Sequence, residues 1–151
     1  MKFYIADVFT ETKFGGNPAG IILIDEGKDF PDPELMKKAS AELRYSETVF
    51  VKKLDSSTFH LRYFTIEDEI ELCGHATIGA FALMARKGII RRNGEYTART
   101  LSGDLEIKLQ EGFVMMEVGR PKVLRRIEMK DETLELYKIM GLDYQPPLVQ
   151  C

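Results

Sequence analysis

Cys73, Gly74 and His75 sit immediately before ten residues, Ala76 to Ala85, that carry no charge, in the stretch ELCGHATIGAFALMAR. A thiol and an imidazole both carry protons, and the free amides at a helix start attract an anion. Together these groups would suit a carboxylate-bearing ligand on which a proton is to be moved. The same residues also fit a plain structural role: a small core cysteine, a glycine N-cap and a hydrogen-bonded histidine.

Glu47, in SETVF, is the second candidate. Strand alternation puts it on one face with Val49 and Val51. If that face is inward, the carboxylate is partly buried, and desolvation turns it into a usable acid or base near neutral pH. If the face is outward, it is an ordinary strand-end glutamate. GGNPAG, residues 15–20, reads as an anion-binding nest or as a tight turn. IEDEIE, residues 66–71, gathers Glu67, Asp68, Glu69 and Glu71 without the glycine turn or spacing of a calcium loop. It reads as a solvated acidic edge. His60 falls at an outward strand position, and Arg86, Lys87, Arg91 and Arg92 mark a helix exit and turn. No phosphate-binding loop, dinucleotide fingerprint or serine-nucleophile elbow is present.

These candidates need elements to position them. A helix without a polar face must be surrounded on every side. Ten residues rise roughly 15 Å, too short for a bilayer and right for the centre of a small domain. The expectation is therefore a core helix over about 75–86, wrapped by strands that Ala76, Gly79, Ala80 and Ala82 allow to approach closely. Its tip offers the amides of Gly74, His75 and Ala76, backed by the positive end of the dipole.

KFYIADVFT and IILID read as strands joined by the turn KFGGNPAG. In PDPELMKKASAELR, Asp32 caps a helix, Pro33 fits its first turn, and Leu35, Met36, Ala39 and Leu43 form its apolar stripe. ETVFVKK and TFHLRYFT alternate as strands, with Phe59, Leu61 and Tyr63 on one face of the second. YTARTL, GDLEIKLQ and FVMMEVG read as an antiparallel meander, and DETLELYKIM as a last helix capped by Asp131 and stopped by Gly141. The fold class is α+β, without regular βαβ alternation.

At 151 residues the chain suits one domain. A formal charge of −3 and a pI near 5.5 argue against general nucleic-acid binding. No charge-free apolar run reaches a membrane span, and MKFYIADVFTE lacks the apolar core of a signal peptide. Two cysteines, Cys73 and Cys151, make neither a disulfide framework nor a CxxC zinc cluster. The expected location is the cytoplasm, with reduced thiols.

DVFTETKFGGNPAGIIL, YSETVFV and LRYFTIEDEIELCGHATIGAFAL follow one another in that order. This ordered trio resembles the PhzF-like (phenazine biosynthesis-like) family, and the resemblance runs the length of the chain. It implies a diaminopimelate epimerase-like fold of two similar halves, each a set of strands curled around a buried helix. It also implies an isomerase in which Glu47 shuttles a proton on a small carboxylated substrate, as in the isomerisation of dihydrohydroxyanthranilate, without metal or organic cofactor. Asn17, Ser46, Gly74 and His75 match positions lining that pocket, where the helix end holds the substrate carboxylate; Cys73 and Ala76 lie beside it.

Family members run to nearly twice this length, and their second half supplies an aspartate across the cleft. YQPPLVQC looks like the point of crossing into that half. The expectation is therefore a single domain, 1–151, equivalent to the N-terminal half, that is a fragment or that pairs as a homodimer. Two other functions stay open: a racemase or epimerase using Cys73 as a thiol base, which needs a second thiol opposite, and a half-enzyme that only binds.

Overall fold

Side-chain alternation on two neighbouring strands sets up the architecture. In β3 (Thr48–Lys53) and β4 (Thr58–Phe64), Val49, Val51, Phe59, Leu61 and Tyr63 point to one face, and all are buried. Phe50 and Phe64 point to the other face and are buried too. A sheet apolar on both faces must be covered twice. The computed structural model, which describes residues 1–119 and 130–143, shows both covers. The chain divides into two units, Met1–Val118 and Gly119–Cys151.

In the first unit the remaining strands are β1 (Lys2–Val8), β2 (Asn17–Leu23), β5 (Glu69–Ile70), β6 (Gly94–Thr100), β7 (Gly103–Gln110) and β8 (Phe113–Met116). The strand order is β1-β2-β3-β4-β6-β7-β8, with β5 paired to β4. β6, β7 and β8 form the expected antiparallel meander. β2 pairs β3 in parallel, and β4 pairs β6 in parallel. Each parallel pair is joined by a helical crossover, so the sheet is mixed: α1 (Pro33–Leu43) makes the first connection and α2 (Gly74–Arg86) the second.

α2 is the expected inner helix. It touches β1, β2, β3 and β8, although β1 and β8 stand at opposite ends of the strand order. The sheet therefore curls around it. Ala76, Thr77, Gly79, Ala80, Phe81 and Met84 are fully buried against the strands. Phe59, Phe81 and Tyr96 form an aromatic cluster there, with ring centroids 5.6–6.3 Å apart. Bare Gly79 lets the helix approach Val8, Ala6 and Ile21. The expectation of cover on every side needs correction. Ile78, Ala82, Leu83 and Ala85 are only half-buried, because the curled sheet wraps one side of the helix. Gly88, with φ +71, stops it: Gly88 N–H donates to Ala85 O and Ile89 N–H to Met84 O.

The outer cover is α1, which seats Met36 against Ile22, Ile24, Phe50 and Phe64. Asp32 caps it as expected, its carboxylate accepting from Glu34 N–H at 3.0 Å. A second correction concerns residues 15–20. The turn ends at Gly16, whose φ of +71 and closeness to Val8 O exclude a side chain. Asn17 to Gly20 already belong to β2, held by their pairing with β1. His60, expected outward and exposed, is half-buried edge-on against Phe30. Among the described residues no helix is long and apolar enough to cross a membrane.

In the second unit α3 spans Lys130–Ile139. Asp131 lies inside its first turn, not at the cap, because the helix already includes Lys130. Gly141 ends it as expected, with φ +66, Gly141 N–H donating to Lys138 O and Leu142 N–H to Tyr137 O. The expected crossing segment at 144–151, and Cys151 with it, lie outside the described residues.

Candidate active site

Glu47 is the residue just before β3, and its backbone is pinned by Gly20 N–H, which donates to Glu47 O at 3.0 Å. The inward-facing reading holds. Glu47 continues the face of Val49 and Val51 towards α2, and its Oε2 lies 3.4 Å from His75 Nε2. The His75 side chain is 10 % exposed and that of Glu47 is 23 % exposed. On its other side the imidazole Nδ1 lies 3.3 Å from Cys73 Sγ. Glu47, His75 and Cys73 thus form one row across the start of α2.

The tip of α2 carries no capping side chain, although Cys73 occupies the N-cap position. Its first intrahelical bond runs from Thr77 N–H to Cys73 O at 3.0 Å, which leaves the amides of Gly74, His75 and Ala76 outside the helical ladder. Thr77 Oγ1 also donates to Cys73 O at 2.7 Å, and Tyr63 Oη, 2.7 Å away, donates to Thr77 Oγ1. This chain of hydroxyls ties the first turn to β4. Nothing in the sequence beyond the facing of Tyr63 pointed to it. β8 closes the other flank: a side chain on Gly74 would meet Met116 Cε at 3.6 Å.

Two polar atoms here are left over. Glu47 Oε2 and His75 Nε2 are buried, and neither makes a hydrogen bond among the described residues. Such atoms are rare in folded proteins. Cys73 differs. Burial pushes its thiol pKa up; the Ala76 and His75 amides pull the other way, and the charge on Glu47 adds to the rise. A thiol so placed stays protonated at neutral pH, which makes it a poor base.

Of the residues singled out from the sequence, Glu47, Cys73, Gly74, His75 and Ala76 come together at this tip, with Ala76 fully buried. Asn17 and Ser46 are exposed. Ser46 adjoins Glu47 in the chain. Asn17 stands on the α2-facing side of β2 by alternation from Ile21, which pairs with Val49. No hydrogen bond joins either to the Glu47–His75 pair among the described residues.

The model of the phenazine biosynthesis-like (PhzC-PhzF) family matches residues 6–148. This chain belongs to that family. A phenazine biosynthesis-like domain-containing protein of Bos taurus is 34 % identical over 139 residues, covering 85 % of this chain and 47 % of that protein. The uncharacterized isomerase YfhB of Bacillus subtilis is 37 % identical over 105 residues, covering 70 % of this chain and 35 % of that protein. The crystal structure of a PhzF-family protein from Enterococcus faecalis superposes with a TM-score of 0.64 at 33 % identity, covering 72 % of this chain and 40 % of that one. A hydroxyproline epimerase from Agrobacterium vitis, at 11 % identity and a TM-score of 0.51 over 67 % of this chain and 38 % of its own, shares the fold. The family and the epimerase-like half-barrel are thus shown. The PhzF-like chain spans about half the length of the curated relatives it matches, or less.

Proposed function

We propose that this chain carries half the active site of a cofactor-independent isomerase that moves a proton on a small carboxylated substrate. The observation that supports it most is the unpartnered pair Glu47 Oε2 and His75 Nε2, set beside the free amides of α2. The substrate carboxylate sits at those amides, where the dipole favours negative charge. Glu47 removes a proton from a carbon near the carboxylate, the electron pair shifts along the adjacent double bond, and Glu47 returns the proton at another carbon. His75 holds the carboxylate side chain in place and stabilises it when charged. Asn17, Ser46 and Cys73 contact the substrate around this pair, whereas Ala76 is fully buried and offers it no surface. The relative named as an isomerase supports the reaction class. The far wall comes from a second half or from a second copy, and the location is the cytoplasm.

The test is proton wash-in from deuterated water into a panel of cyclic unsaturated amino and hydroxy carboxylates. Wild type incorporates deuterium, Glu47→Gln loses at least about 100-fold, the usual scale for an acid–base group, and Cys73→Ala keeps the exchange chemistry, with any loss confined to substrate binding. Loss in Cys73→Ala with Glu47→Gln unaffected would transfer the chemistry to the thiol. No incorporation by a well-folded wild-type chain would leave a binding-only module.

A further inference from the structure

The two ring nitrogens of His75 face different chemistry. Nδ1 lies 3.3 Å from Cys73 Sγ, and Nε2 lies 3.4 Å from Glu47 Oε2. A neutral imidazole carries one proton, so one nitrogen donates and the other accepts. A proton on Nδ1 would turn the bare lone pair of Nε2 onto a carboxylate oxygen and leave the thiol hydrogen without an acceptor. A thiolate beside an imidazolium would set two negative charges, Cys73 and Glu47, in one largely buried row. Burial and the charge on Glu47 both hold the thiol protonated, against the pull of the Ala76 and His75 amides. The remaining arrangement gives every donor an acceptor: Cys73 S–H points to Nδ1, and Nε2–H points towards Glu47 Oε2.

We propose that Cys73 is a positioning residue: its thiol donates to His75 Nδ1, fixes the ring as the Nε2–H tautomer and so aims a donor at Glu47. The tautomer stands on this geometry alone, whereas its use in proton transfer rests on the function proposed above. The unpartnered state of Nε2 and Oε2 then has a reason. Their 3.4 Å separation exceeds the usual N–H···O distance of about 2.9–3.0 Å. Hydrogen bonds of catalytic groups are often long before substrate binds, and they tighten with it. A donor held at Nε2 favours Glu47 as the carboxylate, the form that accepts a proton. It also keeps His75 out of the shuttle, because the thiol occupies the ring's one lone pair. Cys73 is the N-cap of α2 and His75 lies in its first turn, which Thr77 Oγ1 and Tyr63 Oη tie to β4. The helix start itself therefore sets the contact between sulfur and Nδ1.

The experiment reads the tautomer of His75 directly, by long-range proton–nitrogen correlation on the nitrogen-15-labelled full chain at neutral pH. The chain has two histidines, and His60→Asn identifies the signals of each. The expected wild-type spectrum shows a protonated Nε2 and a bare Nδ1 for His75, and it needs no variant of the site to fold. Glu47→Gln isolates the thiol, because a carboxamide can donate or accept and so does not choose a tautomer. The Nε2–H form should persist there. Adding Cys73→Ala should lower the ratio of Nε2–H to Nδ1–H at least about threefold, the scale of one net hydrogen bond, and Cys73→Ser, which keeps a donor, should restore it. An Nδ1–H ring or an imidazolium in wild type overturns the proposal. So does a ring that already mixes tautomers in Glu47→Gln, which gives the selection to the carboxylate, or a ratio that Cys73→Ala leaves unchanged. Deuterium exchange keeps the two readings apart. The expected tautomer in a chain without exchange removes the isomerase and leaves the positioning role; exchange that depends on Glu47 in a chain with an Nδ1–H ring does the reverse.

Discussion

At the scale of single residues, the site depends on a contrast between polar atoms that are satisfied and polar atoms that are not. Thr77 and Tyr63 are both buried, and their hydroxyls form a closed chain ending on Cys73 O. This bond holds the first turn of α2 at a fixed depth, and so holds His75 against Glu47. Thr77→Val keeps the shape but strands the Tyr63 hydroxyl, which should cost about 1–3 kcal/mol in denaturant unfolding. Tyr63→Phe in the same chain should recover part of that loss, because the stranded group is then gone. Equal and additive losses would show that the two hydroxyls are not coupled. SETVF alone put Glu47 on one face with Val49 and Val51 but left open whether that face points inward, which depends on what covers the sheet. The hydroxyl chain was not readable, because it joins residues 14 apart through a packing that no local pattern encodes.

Among the elements, α2 decides the geometry. Its lack of charge announced a core helix, and Arg86 and Lys87 announced its exit. Its half-covered side was not foreseeable, since the closure of a sheet depends on how far the last strands curl. Nor did the sequence signal where β2 begins. Asn17 and Pro18 carry turn propensity, yet pairing with Val8 and Asp7 draws them into the strand. Gly79 is the point at which helix and sheet come closest: an added Cβ would lie 2.8 Å from Val8 Cγ2. Val8 is buried and stiff at χ1, so it has little room to give. Gly79→Ala gains up to about 1 kcal/mol of helix propensity but overpacks the contact by about 1–3 kcal/mol. A net loss of stability is expected by thermal or denaturant unfolding, relieved by Val8→Ala. A stabilised Gly79→Ala would mean that α2 and β1 are not so tightly apposed.

For the molecule as a whole, the half-length match to its relatives bears on how a complete cleft arises. β1 and β8 end the strand order, and unpaired strand edges invite association. Phe3, Ile5, Phe9 and Phe14 are exposed on or beside β1, and Phe113 and Met115 on β8. A surface so apolar at the sheet margins suits a second copy of this half-barrel, which would bring a second Glu47 to a shared cleft. Light scattering on the purified chain should report twice the 17.3 kDa of one copy. A monomer at every concentration would mean that a separate second half is needed.

The proposed proton transfer requires the amide tip of α2 beside Glu47 to bind an acid. It is tested without knowing the substrate by titrating a simple cyclic carboxylate, benzoate, into the nitrogen-15-labelled chain and following backbone amide shifts. The largest shifts should fall on Gly74, His75, Ala76 and Thr77, with smaller ones at Thr48 beside Glu47. Saturating shifts that map to another surface, or an α2 tip that does not respond at any benzoate concentration, would contradict it.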